Sequence, residues 1–217
     1  MFDVLNQAAD AIRADFTART SARDSAIARS RELIRHCAEA IRAVHRREWD
    51  DAQRKLEIVR TAAAELRGVV AGYPDLYHSG YTQDALKEVV EAFATLAIVR
   101  GDPLPTPETL NVDGNTYLNG MAEAATELRR FILDILRRED GGTAEASAEA
   151  ERLLDWMDAI YDQLVTFDFP DAITGDLRRR TDVVRGVLER TRGDLTTTIQ
   201  QRRLQDALRR VEDRLEK

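Results

Sequence analysis

Two pairs of glutamates stand at spacings that place each pair on one face of a helix. Glu88 and Glu91 are three residues apart, with Asp84 one turn earlier, and Glu123 and Glu127 are four residues apart. Like charges at these spacings repel each other unless a cation or water compensates them. Carboxylate oxygens are the ligands that Mg²⁺ and Mn²⁺ prefer, and a cation held there can activate water against a phosphodiester. From the spacing alone, however, hydrated or ion-paired carboxylates are the simpler interpretation.

The residues around the two pairs bear on whether the pairs could act together. Gly120, Ala122 and Ala124 are small enough for another helix to approach closely, so facing helices could bring four carboxylates together. A ferritin-like di-iron bundle is the competing interpretation, but it needs Glu-x-x-His pairs. None of the three histidines completes such a pair. The sequence also lacks a Walker-type glycine loop, a GxSxG elbow and a CxxC pair, so nucleotide, acyl-transfer and zinc chemistries have no support.

A basic face is predicted on the helical segment that precedes Arg47. Between Arg13 and Arg47 there are nine arginines against four acids, although the whole chain carries a net charge of -7. The residues expected on this face, opposite an apolar stripe of Ile34, Cys37, Ile41 and Val44, are Arg31, Arg35, Arg42, His45 and Arg46. Such a face can neutralise phosphates and bind nucleic acid in a salt-dependent way. A solvated face with Glu32 and Glu39 as partners is the alternative, and arginine usage of this kind also fits a GC-rich genome.

Two tyrosines and a histidine stand where a helix is expected to begin. Tyr77, His78 and Tyr81 could stack on bases there, and a phosphate could meet the amides of the first helical turn. Tyrosines at a helix entrance also serve as packing residues, so the segment by itself does not distinguish the two roles.

The elements that must position these side chains are helices, because proline and glycine are scarce and apolar residues recur at helical spacing. We predict an all-α, single-domain antiparallel bundle of about seven helices over residues 1–217. The expected spans are 2–47 with a possible break near Thr20, 48–70, 82–99, 115–138, 147–166 after a Gly141-Gly142 loop, 177–192 and 196–216. A stripe in the last span could pack in the core, which we favour, or against another subunit; it consists of Leu204, Leu208, Val211 and Leu215.

The general features of the chain exclude several classes of protein. A chain of 217 residues is long enough for a substantial core. No stretch approaches the roughly 18 apolar residues of a membrane helix, and the first residues do not form a signal peptide. We therefore expect a cytoplasmic protein with no membrane partner. Cys37 is the only cysteine and is expected to be a buried small apolar residue.

Three segments resemble the translin/Trax family. Leu86–Ala92 is similar to the Trax segment that carries two catalytic glutamates, Tyr117–Leu128 resembles a segment shared by translin and Trax, and Trp156–Leu195 resembles their C-terminal helices. With the basic N-terminal helices, the resemblance covers nearly the whole chain and implies a translin-like fold.

The resemblance implies roles for the acidic residues. Glu88 and Glu91 match the Trax catalytic glutamates, and Glu123 matches the acid of the later helix, where Trax has aspartate. The implied site holds Mg²⁺ (or Mn²⁺) on Glu88, Glu91 and Glu123, with Glu127 as a supporting ligand.

The resemblance also implies an activity and an assembly. Family members form hollow, roughly octameric assemblies that enclose RNA and cut its single-stranded regions. The implied function is therefore a homo-oligomeric endoribonuclease that binds RNA or single-stranded DNA, with the basic face and the Tyr77–Tyr81 segment turned inwards. A non-catalytic binding protein for RNA or single-stranded DNA is the alternative, and a helical scaffold without a nucleic-acid role is a third interpretation.

Overall fold

The computed structural model describes residues 2–137 and 143–215, and every regular element within these ranges is an α-helix. The nine helices in these ranges are α1 (Asp3–His45), α2 (Trp49–Val70), α3 (Pro74–Tyr77), α4 (Gly80–Arg100), α5 (Pro107–Leu110), α6 (Gly114–Arg137), α7 (Ala144–Leu164), α8 (Asp171–Thr174) and α9 (Leu177–Leu215). The predicted all-α fold class is confirmed. The predicted loop at Gly141 and Gly142, and the predicted helix ends at Arg138 and Glu216, lie outside the described residues.

The chain divides into two compact units. Unit 1 comprises Met1–Phe93 with Thr106–Val112, and unit 2 comprises Ala94–Pro105 with Asp113–Lys217. The boundary falls within α4, so one continuous helix supplies residues to both units. The single domain expected from the sequence stays a prediction.

Unit 1 is built around α1 and α2, which pack along each other. Their buried residues include Ala26, Leu33, Cys37 and Val44 on α1, and Leu56, Val59, Ala63 and Leu66 on α2. The break expected near Thr20 is absent: α1 runs for 43 residues. It contains no proline or glycine to interrupt its backbone hydrogen bonds. It ends at a turn in which Arg47 adopts a positive φ of 57° and the amide of Glu48 donates to the carbonyl oxygen of Ala43.

Unit 2 is built around α6, α7 and α9. Their buried residues include Leu128, Ile132 and Ile135 on α6, Leu153, Met157 and Ile160 on α7, and Val184, Leu188 and Leu195 on α9. The guanidinium of Arg152 on α7 donates to the carbonyl oxygens of Ile98 and Val99, at 2.7 Å and 3.0 Å, where α4 ends. Carbonyl groups in a last helical turn have no partner within the helix, so Arg152 satisfies two of them.

The C-terminal part of α9 differs from the sequence-based expectation in two ways. The predicted interruption between residues 192 and 196 is absent, because Gly193 is accommodated inside a helix of 39 residues. The prediction that the stripe packs in the core was wrong. The exposed fractions of its side chains are 61% for Leu204, 54% for Leu208, 52% for Val211 and 81% for Leu215. A heptad-like spacing predicts a partner surface, and within the described residues this chain does not cover the stripe.

No helix in the part of the chain that the structure describes is both long and apolar enough to cross a membrane.

Candidate functional site

The acidic face of α4 is partly withdrawn from solvent. Glu88 and Glu91 are half-buried, and Lys87 places its Nζ atom 3.5 Å from Glu88 Oε1 and 3.9 Å from Asp84 Oδ1. The Lys87 side chain is only 11% exposed. Further along α4 the same face continues as buried residues, which are Thr95, Ile98 and Val99. This face of α4 is therefore not simply open to water.

The charges of these two glutamates affect the pKa of Cys37, which lies in the same unit. Its thiol is fully buried, and burial is the main reason why its pKa is raised well above the ordinary value. The negative charges of Glu88 and Glu91 raise the same pKa further, because a thiolate near two carboxylates is disfavoured. Cys37 is therefore a buried small apolar residue, as predicted, and the two carboxylates lie within electrostatic reach of it.

The second acidic pair belongs to α6 in unit 2. The carboxylate of Glu123 accepts a hydrogen bond from Nη1 of Arg180 on α9, and both side chains are partly buried. Glu127 lies one turn later, with Arg130 Nη1 4.0 Å from its Oε1 atom. The small residues beside them are buried: Gly120, Ala122 and Ala124.

Three of the four predicted metal ligands form a group that could hold a metal ion. One carboxylate oxygen from each of Glu88, Glu91 and Glu123 lies within 4.8 Å of the others, and all three residues are partly buried. The donor set consists of hard carboxylate oxygens, which suit Mg²⁺ or Mn²⁺ rather than a thiolate- or imidazole-binding ion. The role of Glu127 as a further ligand stays a prediction.

The predicted basic face of α1 is present as an exposed surface. Arg31, Arg35, Arg42 and Arg46 are exposed, and His45 is half-buried. Two of these arginines have acidic neighbours, since Arg35 lies 3.5 Å from Glu32 and Arg46 lies 2.7 Å from Glu48. Glu39, expected as a partner of this face, instead lies 3.5 Å from Lys55 on α2. The arginine side chains of the basic face thus remain accessible to an external anion, because exposed ion pairs contribute little to stability.

The Tyr77–Tyr81 segment joins α3 to α4 and is held by side-chain hydrogen bonds. Gln83 Nε2 donates to the carbonyl oxygen of Tyr77 at 2.7 Å, and Thr82 Oγ1 donates to that of Leu76 at 2.8 Å. The rings of Tyr77 and His78 meet edge to face, with centroids 4.8 Å apart. His78 is exposed and both tyrosines are half-buried, so packing accounts for part of each tyrosine ring. Contact of this segment with nucleic acid stays a prediction.

Two features of unit 2 were missed from the sequence. Arg180 is one of three consecutive arginines, and nothing in that run indicates a partner 57 residues earlier in the chain. The other is an apolar cavity of about 360 Å³, lined by Leu104, Tyr117, Leu118, Met121, Trp156, Ala159, Ile160, Gln163, Leu164 and Phe167. Tyr117 on α6 and Trp156 on α7 were the available signal for this cavity, but single aromatic residues among apolar ones are equally typical of a filled core.

Comparison with known proteins gives a consistent assignment. No family model matches the chain. An uncharacterised protein of Methanocaldococcus jannaschii is 31% identical over 196 residues, which cover 89% of this chain and 84% of that protein. The structure is similar to that of AfC3PO in complex with duplex RNA, with a TM-score of 0.72 and 31% identity. It is also similar to the crystal structure of AfC3PO, with a TM-score of 0.77 and 29% identity.

A third solved structure, apo-NeC3PO, has a TM-score of 0.75 at 21% identity and supports the fold alone. Each of the three comparisons covers 87% of this chain and at least 95% of the matched chain. C3PO is the complex of translin and Trax. The relationship to AfC3PO therefore extends over 95% of the matched chain, and this chain belongs to the translin/Trax family.

Proposed function

We propose that this protein binds RNA and cleaves it as a Mg²⁺- or Mn²⁺-dependent endoribonuclease. The observation that carries the proposal is the group of three carboxylates, Glu88, Glu91 and Glu123, each with a ligand oxygen within 4.8 Å of the others. Three like charges brought so close repel one another, and a bound divalent cation would compensate them. When bound, the cation would supply an activated water and stabilise negative charge on the phosphodiester.

The three proposed ligands of the cation come from two helices. Glu88 and Glu91 approach from adjacent turns of α4, and Glu123 supplies its oxygen from α6. Glu127, one turn beyond Glu123, supports the group as a further carboxylate. Partial burial of these side chains reduces the screening of their charges by water, which strengthens their attraction for a cation.

Binding of RNA is supported by the relatives and by the surface of this chain. One AfC3PO structure at 31% identity contains duplex RNA. On this chain, Arg31, Arg35, Arg42 and Arg46 are exposed along α1 and can contact successive phosphates, with His45 beside them. We place base contacts at Tyr77, His78 and Tyr81, where the exposed parts of the rings can stack on unpaired bases of RNA or single-stranded DNA.

Assembly into a homo-oligomer is supported by the uncovered stripe of Leu204, Leu208, Val211 and Leu215. Apolar side chains at heptad-like spacing on an exposed helix face lose contact with water when a second helix covers them. The family resemblance makes an octamer the expected assembly, in which the RNA-binding surfaces face an enclosed space.

The proposal is tested with a labelled single-stranded RNA and three proteins: wild type, Glu91→Gln, and Glu57→Gln as a matched control. Glu57 is an exposed glutamate on α2, 3.6 Å from Arg60. Cleavage and binding are followed in the same samples with Mg²⁺, Mn²⁺ or EDTA. We expect EDTA to abolish cleavage and Glu91→Gln to reduce it by at least about 100-fold, because a direct ligand matters at least as much as its supporting groups. Binding should persist in Glu91→Gln, and the control should cleave like wild type.

The alternative is a non-catalytic protein that binds RNA or single-stranded DNA. A specific observation favours it: Arg180 already contacts Glu123, and Lys87 lies beside Glu88, so the carboxylates have protein cations as neighbours. This alternative requires tight, salt-sensitive binding by wild type, no cleavage with either metal, and no effect of Glu91→Gln. That result would reject the nuclease proposal.

A further inference from the structure

Three consecutive arginines open α9, and their environments differ. The side chain of Arg178 is 81% exposed and lies 3.3 Å from Asp168. The side chain of Arg179 is 67% exposed and pairs with a residue three positions earlier. Arg180, in contrast, is 21% exposed and donates from Nη1 to Glu123 on α6. Of these three arginines, Arg180 alone contacts one of the proposed metal ligands.

The position of Arg180 follows from the register of α9. The residues that α9 buries recur at helical spacing and begin with Leu177, Thr181, Val184 and Leu188. Arg180 lies three residues after Leu177 and one before Thr181, so it borders the buried stripe. α9 packs against α6, and the guanidinium of Arg180, whose side chain is 21% exposed, reaches the carboxylate of Glu123 on α6. The exposed positions of Arg178 and Arg179 follow from the same register.

The guanidinium of Arg180 has more hydrogen-bond donors than the single contact with Glu123 uses. A guanidinium carries five N–H donors, and Nε of Arg180 is buried without a hydrogen-bond partner among the described residues. A buried donor without an acceptor is costly and calls for an explanation. A phosphate offers several acceptor oxygens, and the fork of Nε–H and Nη–H matches two of them. Nε is covered in this structure, so the contact requires the guanidinium to turn about its last torsions.

The charge balance of the site points the same way. The four carboxylates, counting the supporting Glu127, outweigh one divalent cation and Lys87 by one negative charge, which repels a phosphodiester. Arg180 adds a positive charge at Glu123, at a place where only part of the field is screened by solvent.

We propose that Arg180 is a phosphate-binding residue of the RNA site, which holds Glu123 through Nη1 and presents the rest of its guanidinium to a backbone phosphate of the bound RNA. This inference rests on the proposed function, because it assumes that RNA is bound beside the carboxylate group. The competing role is purely positional, in which Arg180 only orients Glu123 for the metal ion.

Two binding measurements separate these roles without relying on cleavage. Mn²⁺ binding in the absence of RNA is measured by electron paramagnetic resonance for wild type, Arg180→Gln and the control Arg179→Gln. Binding of single-stranded RNA with Mn²⁺ present is measured with Arg180→Gln or Arg179→Gln placed in the Glu91→Gln background, in which RNA stays intact. The RNA measurement is repeated at several salt concentrations.

For phosphate contact, we expect Arg180→Gln to weaken RNA binding about 10-fold and to reduce the salt slope by about 0.7, the share of one phosphate contact on a single strand. Mn²⁺ binding by Arg180→Gln should equal or exceed that of wild type, since removing a positive charge favours a cation. Arg179→Gln should change neither quantity. Arg180→Lys keeps the charge but not the fork, so it should recover the salt slope and only part of the affinity; it also replaces Arg180→Gln if that variant does not fold.

The inference is overturned if Arg180→Gln binds Mn²⁺ more weakly than wild type and binds RNA as the Arg179→Gln control does. Arg180 would then only position Glu123. These outcomes differ from failure of the proposed function: if wild type cleaves RNA with Mn²⁺ while the two variants bind RNA alike, the inference alone fails. If wild type neither binds nor cleaves RNA, both fail.

Discussion

The side-chain amide of Asn119 on α6 donates a hydrogen bond of 2.8 Å to the backbone carbonyl oxygen of Thr174, the last residue of α8. Both residues are buried. Directly after Thr174 the chain turns through Gly175, with a positive φ of 59°, and α9 begins two residues later at Leu177. Asn119 therefore fixes the point from which α9 starts, and with it the register that carries Arg180 to Glu123.

Replacement of Asn119 by leucine should destabilise the protein by about 1–3 kcal/mol, because the buried carbonyl oxygen of Thr174 loses its donor. The measurement is the free energy of unfolding from urea denaturation, at one protein concentration for all variants. Gln205→Leu is the control, since Gln205 is an exposed amide residue on α9. It should change the free energy by no more than about 0.5 kcal/mol. Equal effects of the two substitutions would contradict the role assigned to Asn119.

Local patterns explain which parts of the fold and site were predictable. Glu88 and Glu91 were identified because a spacing of three residues on a helix determines their common face without any knowledge of the fold. The pairing of Glu123 with Arg180 was not predictable, because it depends on how α6 and α9 pack. The one-turn helix α5 was missed because it depends on one local cap, in which Thr106 and Thr109 exchange side-chain hydrogen bonds.

The errors in helix length and burial have similar causes. A possible break near Thr20 was expected, yet α1 contains no proline or glycine, and polar side chains on an exposed helix face do not interrupt a helix. Gly193 costs a helix interior about 1 kcal/mol relative to alanine, which packing of Leu188 and Leu195 on the same helix can offset. The heptad-like spacing of Leu204 and Leu208 identified an apolar face, but spacing carries no information on whether the covering surface belongs to the same chain.

Cys37 should make the stability depend on pH in the alkaline range. The folded state raises the pKa of its thiol, mainly by burial and further by Glu88 and Glu91. Between the ordinary thiol pKa of about 8.5 and the raised one, the unfolded chain has released a proton that the folded chain retains. The free energy of unfolding should therefore fall as pH rises above about 8.5, by up to about 1.4 kcal/mol per pH unit from this group.

The measurement for Cys37 is denaturant unfolding between neutral and alkaline pH, for wild type and Cys37→Ala. The difference between the two free energies of unfolding should be constant near neutral pH and shrink as pH rises, because alanine has no proton to release. A difference that stays constant throughout would show that the thiol does not titrate differently in the two states. Any decline shared by both proteins belongs to other groups and cancels in the comparison.

The exposed arginines of α1 should set the salt dependence of RNA binding. Arg31 and Arg42 are both exposed and lie three helical turns apart on the predicted basic face. Replacing both by glutamine should reduce the slope of log affinity against log salt by about 1.4, since each phosphate contact on a single strand contributes about 0.7. Arg54→Gln on α2, where the side chain is 71% exposed and 3.2 Å from Asp51, is the control. An unchanged slope in the double variant would place the RNA away from this face.

The uncovered stripe of α9 should be an oligomer contact. Leu208 is central in the stripe and 54% exposed, so Leu208→Glu leaves the described packing of unit 2 intact while it places a charge where a second helix would pack. We expect this variant to keep its helix content and to shift to a lower mass in sedimentation equilibrium, whereas Arg209→Glu, on the other side of the helix, should keep the wild-type mass.

Assembly also brings several RNA-binding surfaces together. The loss of RNA affinity in the dissociated variant, compared with wild type, should therefore be larger for long RNA than for short RNA. A wild-type mass for Leu208→Glu would show that the stripe is not an essential contact. The assembly would then depend on another surface, and the exposed Phe16 on α1 is the next apolar side chain to replace.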